Sequence, residues 1–200
     1  MSRYLGPKLK ITRKLGLLPG FYRRKEKKNK KKIFFKFNNR FSDYRRRLEE
    51  KQKLKFNYGL TENQLFGYIK EAKRRKGITS LILIQLLEMR LDSLCFTLGF
   101  GQNIIQARQL INHGHITINK KQVNIPSFQC KPNDTISIRE KEISKNLINN
   151  NIKFKKFNRV PEHINFNKSK LEAKILDYCT KENSMLKLKE SLIIEYYSHK

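Results

Sequence analysis

The chain has 200 residues, with 45 Lys or Arg against 17 Asp or Glu and a formal net charge of +28. A compact protein of that charge repels itself unless a polyanion neutralises it, and nucleic acid is the expected polyanion. Hydrophobic residues make up only 38%, so part of the chain is expected to gain order only on its partner.

Cys95, Cys130 and Cys179 are odd in number, far apart and without a CxxC pair. That argues against a disulfide framework and a structural zinc site and favours a reducing compartment. The opening residues, MSRYLGPKLK, have no apolar run behind them, so no secretory signal is expected. No long Arg/Ser-rich transit peptide is visible either, which implies that an organellar version would be made inside the organelle. The longest apolar segment, residues 81–100, is interrupted by Glu88, Arg90 and Asp92, three charges that a membrane span would not carry near its middle.

In chain order, residues 1–43 read as a basic arm, disordered alone, with Arg3, Lys8, Lys10, Arg13, Lys14, Arg23 and Arg24 as candidate RNA contacts. The run RRKEKKNKKK is followed by Phe34, Phe35, Phe37 and Phe41, which pairs cations for phosphate with aromatics for stacking. Residues 44–57 read as a polar helix, with Arg45, Arg46, Arg47, Lys51, Lys53 and Lys55 as further candidates and Tyr58 just after it. Thr61 and Gln64 suit a capping box. The helix that follows buries Leu65, Ile69 and Ala72 and ends on Arg74, Arg75 and Lys76 before Gly77, with Arg74 and Arg75 as further candidate RNA contacts. A third helix, capped by Thr79, carries Leu87, Leu91, Leu94 and Leu98 as one core stripe up to Gly99.

A short fourth helix is capped by Asn103, buries Ile104, Ala107 and Ile111, and turns Arg108, Gln109 and Asn112 outward. The period then shifts to two. Ile116 and Ile118 are followed by the turn Asn119-Lys120-Lys121, by Val123 and Ile125, and, after a Pro132–Asp134 turn, by Ile136 and Ile138. Residues 141–167 read as linker or surface segment, 171–178 as a short helix and 192–197 as β-prone.

These blocks resemble the small-subunit ribosomal protein four family. The resemblance runs through RYLGPKLK, RLEEKQKLKFNYGLTENQL, LLEMRLDSL, LGFGQNIIQARQLINHGHITIN, VNIPSFQCKPNDTISIRE and IIEYYS. It implies an α+β fold: an extended basic N-terminal arm (1–43), a helical lobe (44–89) with residues 168–200 packing nearby, an alpha-L RNA-binding lobe of two short helices plus antiparallel strands (90–150), and a linker (151–167). By the same resemblance the two short helices and the hairpin form the RNA face. Arg108, Gln109, Asn112, His113, His115, Asn119, Lys120 and Lys121 are its candidate contacts.

The resemblance further implies a structural constituent of the small subunit that binds a multi-helix junction in the 5′ domain of the rRNA early in assembly. Neighbouring ribosomal proteins, and an influence on accuracy near the region where mRNA enters, belong to the same expectation. LGLLPG and CKPND are similar to chloroplast members, with bacterial cytoplasm as the alternative setting. Three features depart from the family. No Cys precedes Cys95, so the N-terminal zinc site of some relatives is not expected. The hairpin has Asn119-Lys120 where Asn-Gly is usual, which suggests a different turn type. The segment 23–39 lacks the family's Gly-rich stretch.

No phosphate-binding Gly loop or GxSxG is present, and His113-x-His115 has no further metal ligand at suitable spacing. Arg90-Leu91-Asp92 resembles the short signature of pseudouridine synthases, but inside a leucine stripe Asp92 reads as structural, paired with an Arg. No enzyme activity, cofactor, membrane or small-molecule substrate is expected. Two alternatives are a free-standing alpha-L factor acting on stalled ribosomes and a basic membrane-surface protein.

Overall fold

The computed structural model describes residues 4–22, 42–154 and 160–198. Arg3, Arg23, Arg24 and the aromatics from Phe34 to Phe41 lie outside the described residues. The fold is α+β, with eight helices among the described residues and one antiparallel sheet.

The first described segment is more structured than an arm. Helix α1 (Lys8–Leu15) starts after Pro7, places Arg13 and Lys14 in its last turn, and stops at Gly16, whose φ is +90°. Leu15, Leu18 and Phe21 are buried with Leu186 in a small core of their own. The Gly20 amide donates to Asn57 Oδ1 at 2.9 Å and its carbonyl accepts from the Ile104 amide at 2.9 Å. A side chain at Gly20 would meet Asn57 O at 2.6 Å, so the close approach itself requires glycine. Basic residues dominate the composition here, but the sparse apolar positions set the packing.

Helix α2 (Asp43–Asn57) is capped by Ser42, and α3 (Glu62–Arg74) has the full capping box of Thr61 and Gln64 and buries Leu65, Ile69 and Ala72. The predicted third helix is two helices, α4 (Thr79–Glu88) and α5 (Leu91–Leu98), and α4 has Ile78 rather than Thr79 at its N-cap. The chain kinks at Met89-Arg90 because this stretch pairs with a loop. The Leu91 amide donates to Phe128 O at 2.9 Å, and the Cys130 amide to Met89 O at 2.9 Å. Leu87, Leu91, Leu94 and Leu98 are all buried, so the stripe is core although no single helix carries it.

Helix α6 (Ile104–Asn112) is capped by Asn103 and buries Ile104, Ala107 and Ile111. Strands β1 (Ile116–Ile118), β2 (Lys121–Gln122) and β3 (Thr135–Ile138) follow. Val123 is half-buried and Ile125 exposed, both beyond the short β2.

The remainder differs from its sequence reading. Residues expected as linker form α7 (Glu142–Phe154) and β4 (Ile164–Asn167). The segment expected as a short helix contains β5 (Glu172–Ile175), with Ala173 and Ile175 on the buried side. The β-prone end is helix α8 (Glu190–Ser198), which buries Ile193, Tyr196 and Tyr197. Short apolar runs fit either period, and packing decides between them. The sheet order is β2-β1-β3-β5-β4, so the β4–β5 hairpin extends the alpha-L sheet at β3, while α8 packs on α2 and α4. One hydrophobic core runs from Leu54 on α2 through the sheet to Tyr197.

Candidate nucleic-acid interface

The three charges inside the apolar run are all satisfied internally. Glu88, 5% exposed, accepts from Tyr58 Oη at 2.6 Å, from Ser93 Oγ at 3.3 Å and from the Met185 amide at 2.7 Å. Burial raises its pKa above the usual carboxylate range, and the hydrogen bonds from Tyr58, Met185 and Ser93 oppose that rise. Asp92, 1% exposed, accepts from Arg90 through Nε at 2.9 Å and Nη2 at 2.7 Å. Arg90 also donates to Tyr68 Oη. Asp92 therefore has the structural role expected of it.

Arg108 corrects the sequence reading. It was expected to turn outward from α6, but its Nε donates to Asp92 Oδ2, its Nη1 to Gly59 O and its Nη2 to Tyr58 O, each at 2.7 Å. The planar fork ties α6 to α5 and to the turn between α2 and α3. Only 17% of its side chain is exposed. Tyr58 is likewise buried, with its hydroxyl on Glu88. Lys51 is also buried, donating to Glu62 at 2.9 Å with its ammonium over the Tyr196 ring. These three candidates are framework. Spacing could not separate them from surface cations, because their partners lie far away in sequence.

Glu62 gathers the helical lobe. It accepts from Lys51, from Lys55 at 3.3 Å and from Tyr197 Oη at 2.6 Å. Burial acts to raise its pKa, but the hydrogen bonds from Tyr197, Lys51 and Lys55 outweigh it and hold the carboxyl at about 2. Arg47 pairs with Glu195 of α8 at 3.0 Å, Lys53 with Glu50, Arg45 with Glu49 at 3.3 Å, and Arg46 with Asp43 at 3.9 Å. Arg74 and Arg75 both grip Glu71, whose pKa their hydrogen bonds lower to about 2. Arg45, Arg46, Arg74 and Arg75 remain exposed, where such pairs are weak and readily exchanged for phosphate.

The alpha-L lobe presents a continuous polar edge. Gln109, Asn112 and His113 are exposed at the end of α6. His115 is half-buried, with Nδ1 at 2.9 Å from Ser144 Oγ on α7. The β1–β2 hairpin keeps the two-residue loop Asn119-Lys120, since Ile118 pairs with Lys121. Both loop residues have positive φ, +50° and +66°, so lysine occupies the left-handed position that the sequence reading expected it to avoid. Asn119 supports the turn from within. Its Nδ2 donates to Asp134 Oδ1 at 2.8 Å, and its Oδ1 accepts from the Thr135 amide at 2.9 Å. Lys120 and Lys121 are exposed and make no ion pair among the described residues.

On α1, Lys10, Arg13 and Lys14 are exposed and Lys8 half-buried, likewise without an ion pair among the described residues. The exposed cations not singled out as contacts in the sequence include Lys73, Lys76 and Lys131. The first two flank Arg74-Arg75, and that adjacency was a usable signal. Lys131 had none, because only the fold brings its loop beside α4.

Among the described residues no group of three or more His, Cys, Asp or Glu is placed to hold a metal. The three cysteines are buried free thiols, and burial pushes each thiol's pKa up. No described helix is long and apolar enough to cross a membrane.

Two short helices followed by an antiparallel hairpin, with a cationic tip beside a polar helix end, define an RNA-binding module of the alpha-L kind. The family described as "S4 domain" matches residues 89–136, and the "Ribosomal protein S4/S9 N-terminal domain" matches residues 3–88. Small ribosomal subunit protein uS4c of Phaeodactylum tricornutum is 59% identical, and its namesake from Trieres chinensis 55%, each over the whole of both chains. The uS4 protein of Prochlorococcus marinus subsp. pastoris is 50% identical over the same full extent. The chain belongs to the ribosomal protein S4 family, a non-enzymatic family of structural constituents of the small ribosomal subunit, and its likeness to the chloroplast-type uS4c proteins assigns it to plastid ribosomes.

Proposed function

We propose that the chain is a primary rRNA-binding protein that grips a multi-helix junction in the 5′ domain of small-subunit rRNA and nucleates assembly there. The observation that carries this is the division of its cations. Arg90, Arg108 and Lys51 are spent on internal carboxylates and carbonyls that lock the helices together, while Lys120, Lys121, Lys10, Arg13 and Lys14 remain exposed on that locked frame. A rigid frame fixes the spacing between its cations, which suits recognition of folded RNA by shape and phosphate position. On assembled subunits the same protein contacts neighbouring ribosomal proteins and, near the region where mRNA enters, influences decoding accuracy.

The test is equilibrium binding of the purified chain to a 5′-domain rRNA fragment over a range of salt. Affinity falls steeply on a log-log plot, and Lys120→Ala with Lys121→Ala flattens the slope by about 2 (roughly one per lost phosphate contact) without changing thermal stability. An unchanged slope would remove the hairpin tip from the interface.

A further inference from the structure

A pocket of about 310 Å³ lies where the end of α3, helix α4, the loop before β3 and residue 178 converge. Its volume sits near the lower end of the ~300–1,000 Å³ usual for small-molecule sites. None of the positions proposed as RNA contacts in the alpha-L lobe lines it. Leu86 and Met89 give it an apolar floor. Two amides stand beside that floor. Gln129 is fixed by donating from Nε2 to Leu86 O at 3.0 Å, which leaves Oε1 as an acceptor. Gln85 is half-buried and its side chain makes no hydrogen bond among the described residues.

The rim carries Arg75, Lys76 and Lys131, all exposed, and no carboxylate among the described residues lines the cavity. Arg75 is shared with Glu71, whereas the ammonium groups of Lys76 and Lys131 have no acidic partner among the described residues. Tyr178 completes the wall, 45% exposed and with its ring stacked on no other among the described residues.

We infer that this pocket takes one unpaired nucleotide of the rRNA, its base against the floor and Tyr178, its edge on Gln85 and Gln129, and its phosphate on Lys76 and Lys131. Each part has a chemical match. An amide both donates and accepts and so meets a base edge. An aromatic ring stacks on any base, and lysine supplies a mobile charge for phosphate. An acidic peptide would use the rim but leave the floor, the ring and the amides without counterparts. The inference rests on the rRNA-binding reading and adds a site to it on the seam of the two lobes.

The test has two arms. In the first, the full chain carrying ¹⁵N-labelled glutamine is titrated with nucleoside 5′-monophosphates, with inorganic phosphate and with a short glutamate-rich peptide. The nucleotides shift the side-chain amide signals of Gln85 and Gln129, and phosphate does not. Tyr178→Ala weakens nucleotide binding by about 5- to 150-fold, the range that loss of one stacking platform gives. Equal shifts with phosphate, shifts with the peptide alone, or no shift at all would overturn the inference.

In the second arm the chain is bound to the 5′-domain fragment and each nucleotide is probed by 2′-hydroxyl acylation. One unpaired nucleotide protected by the wild-type protein becomes reactive with Gln85→Leu or Tyr178→Ala, both substitutions on a half-buried or exposed side chain whose fold is checked by circular dichroism. Wild-type binding with no such change in either variant would remove the pocket and leave the proposed function standing. Failure of the wild-type chain to bind the fragment would instead remove the proposed function, while the mononucleotide arm still reads the pocket by itself.

Discussion

Replacing Arg108 by Ala separates a framework arginine from an RNA-contacting one. The substitution deletes three hydrogen bonds, to Asp92 Oδ2, Gly59 O and Tyr58 O. Hydrogen bonds from a charged donor contribute about 1.5–3 kcal/mol each, an upper sum of about 4–9 kcal/mol if all three were lost without relief. Two circumstances reduce it. Asp92 keeps its bidentate partner Arg90, so its carboxylate is not left alone. Gly59 lines a cavity of about 530 Å³ that Arg108 itself borders, through which water reaches the freed carbonyls. About 2–4 kcal/mol remains, within the range for disrupting a buried network. For a chain of this size each kcal/mol moves the melting temperature by about 2–4 °C, so a fall of roughly 4–16 °C is expected by circular dichroism. RNA affinity measured well below the melting temperature should change less than for Lys120→Ala, which leaves the melting temperature alone. An unchanged melting temperature with a large loss of RNA affinity would refute the assignment and return Arg108 to the RNA face.

Other outcomes follow from the same structure. Lys120→Gly relieves a left-handed lysine, so urea melts should show stabilisation by up to about 1 kcal/mol, while RNA binding weakens through the lost charge. Gly20→Ala places a methyl 2.6 Å from Asn57 O and 2.7 Å from Ile104 Cδ1. The chain should lose about 1–3 kcal/mol in urea unfolding, and residues 15–22 should become more open to proteolysis. Glu88→Gln tests a buried carboxylate whose folded pKa is raised. A raised acid binds its proton more tightly when folded, so its contribution is most favourable at low pH and is lost as pH climbs from the unfolded value of about 4.5 through the folded one. The glutamine variant should therefore gain on the wild type over that climb, and a constant difference between the two would contradict the assignment.

The parts legible in the sequence were those with local chemistry. The capping box of Thr61 and Gln64, the Asn103 cap and the buried face of α3 depend on residues three or four apart, and the structure has all of them. The kink at Met89-Arg90 was hidden because it is imposed by a loop some forty residues later (a partner that periodicity cannot see). Residues 172–175 and 190–198 were short enough for either period, and their packing against β3 and α2 decided the outcome. Polar α7 was missed because asparagine and lysine dominate it and, among its described side chains, only Ser144, Ile148 and Asn151 are well buried. In the site, charge identified the class of partner but could not rank individual cations. Arg108 and Lys51 look like surface residues in a list of letters, and only their carboxylate and carbonyl partners show otherwise.

On the proposed function, this frame recognises folded small-subunit rRNA without help from other proteins. Chemical footprinting of protein-free small-subunit rRNA with the purified chain alone, at near-physiological salt and against excess transfer RNA, tests it most directly. One contiguous set of protections is expected, confined to a helical junction of the 5′ domain and appearing at equal stoichiometry of protein and RNA. Scattered protections that excess transfer RNA removes would mean that the cations bind RNA without recognising this one.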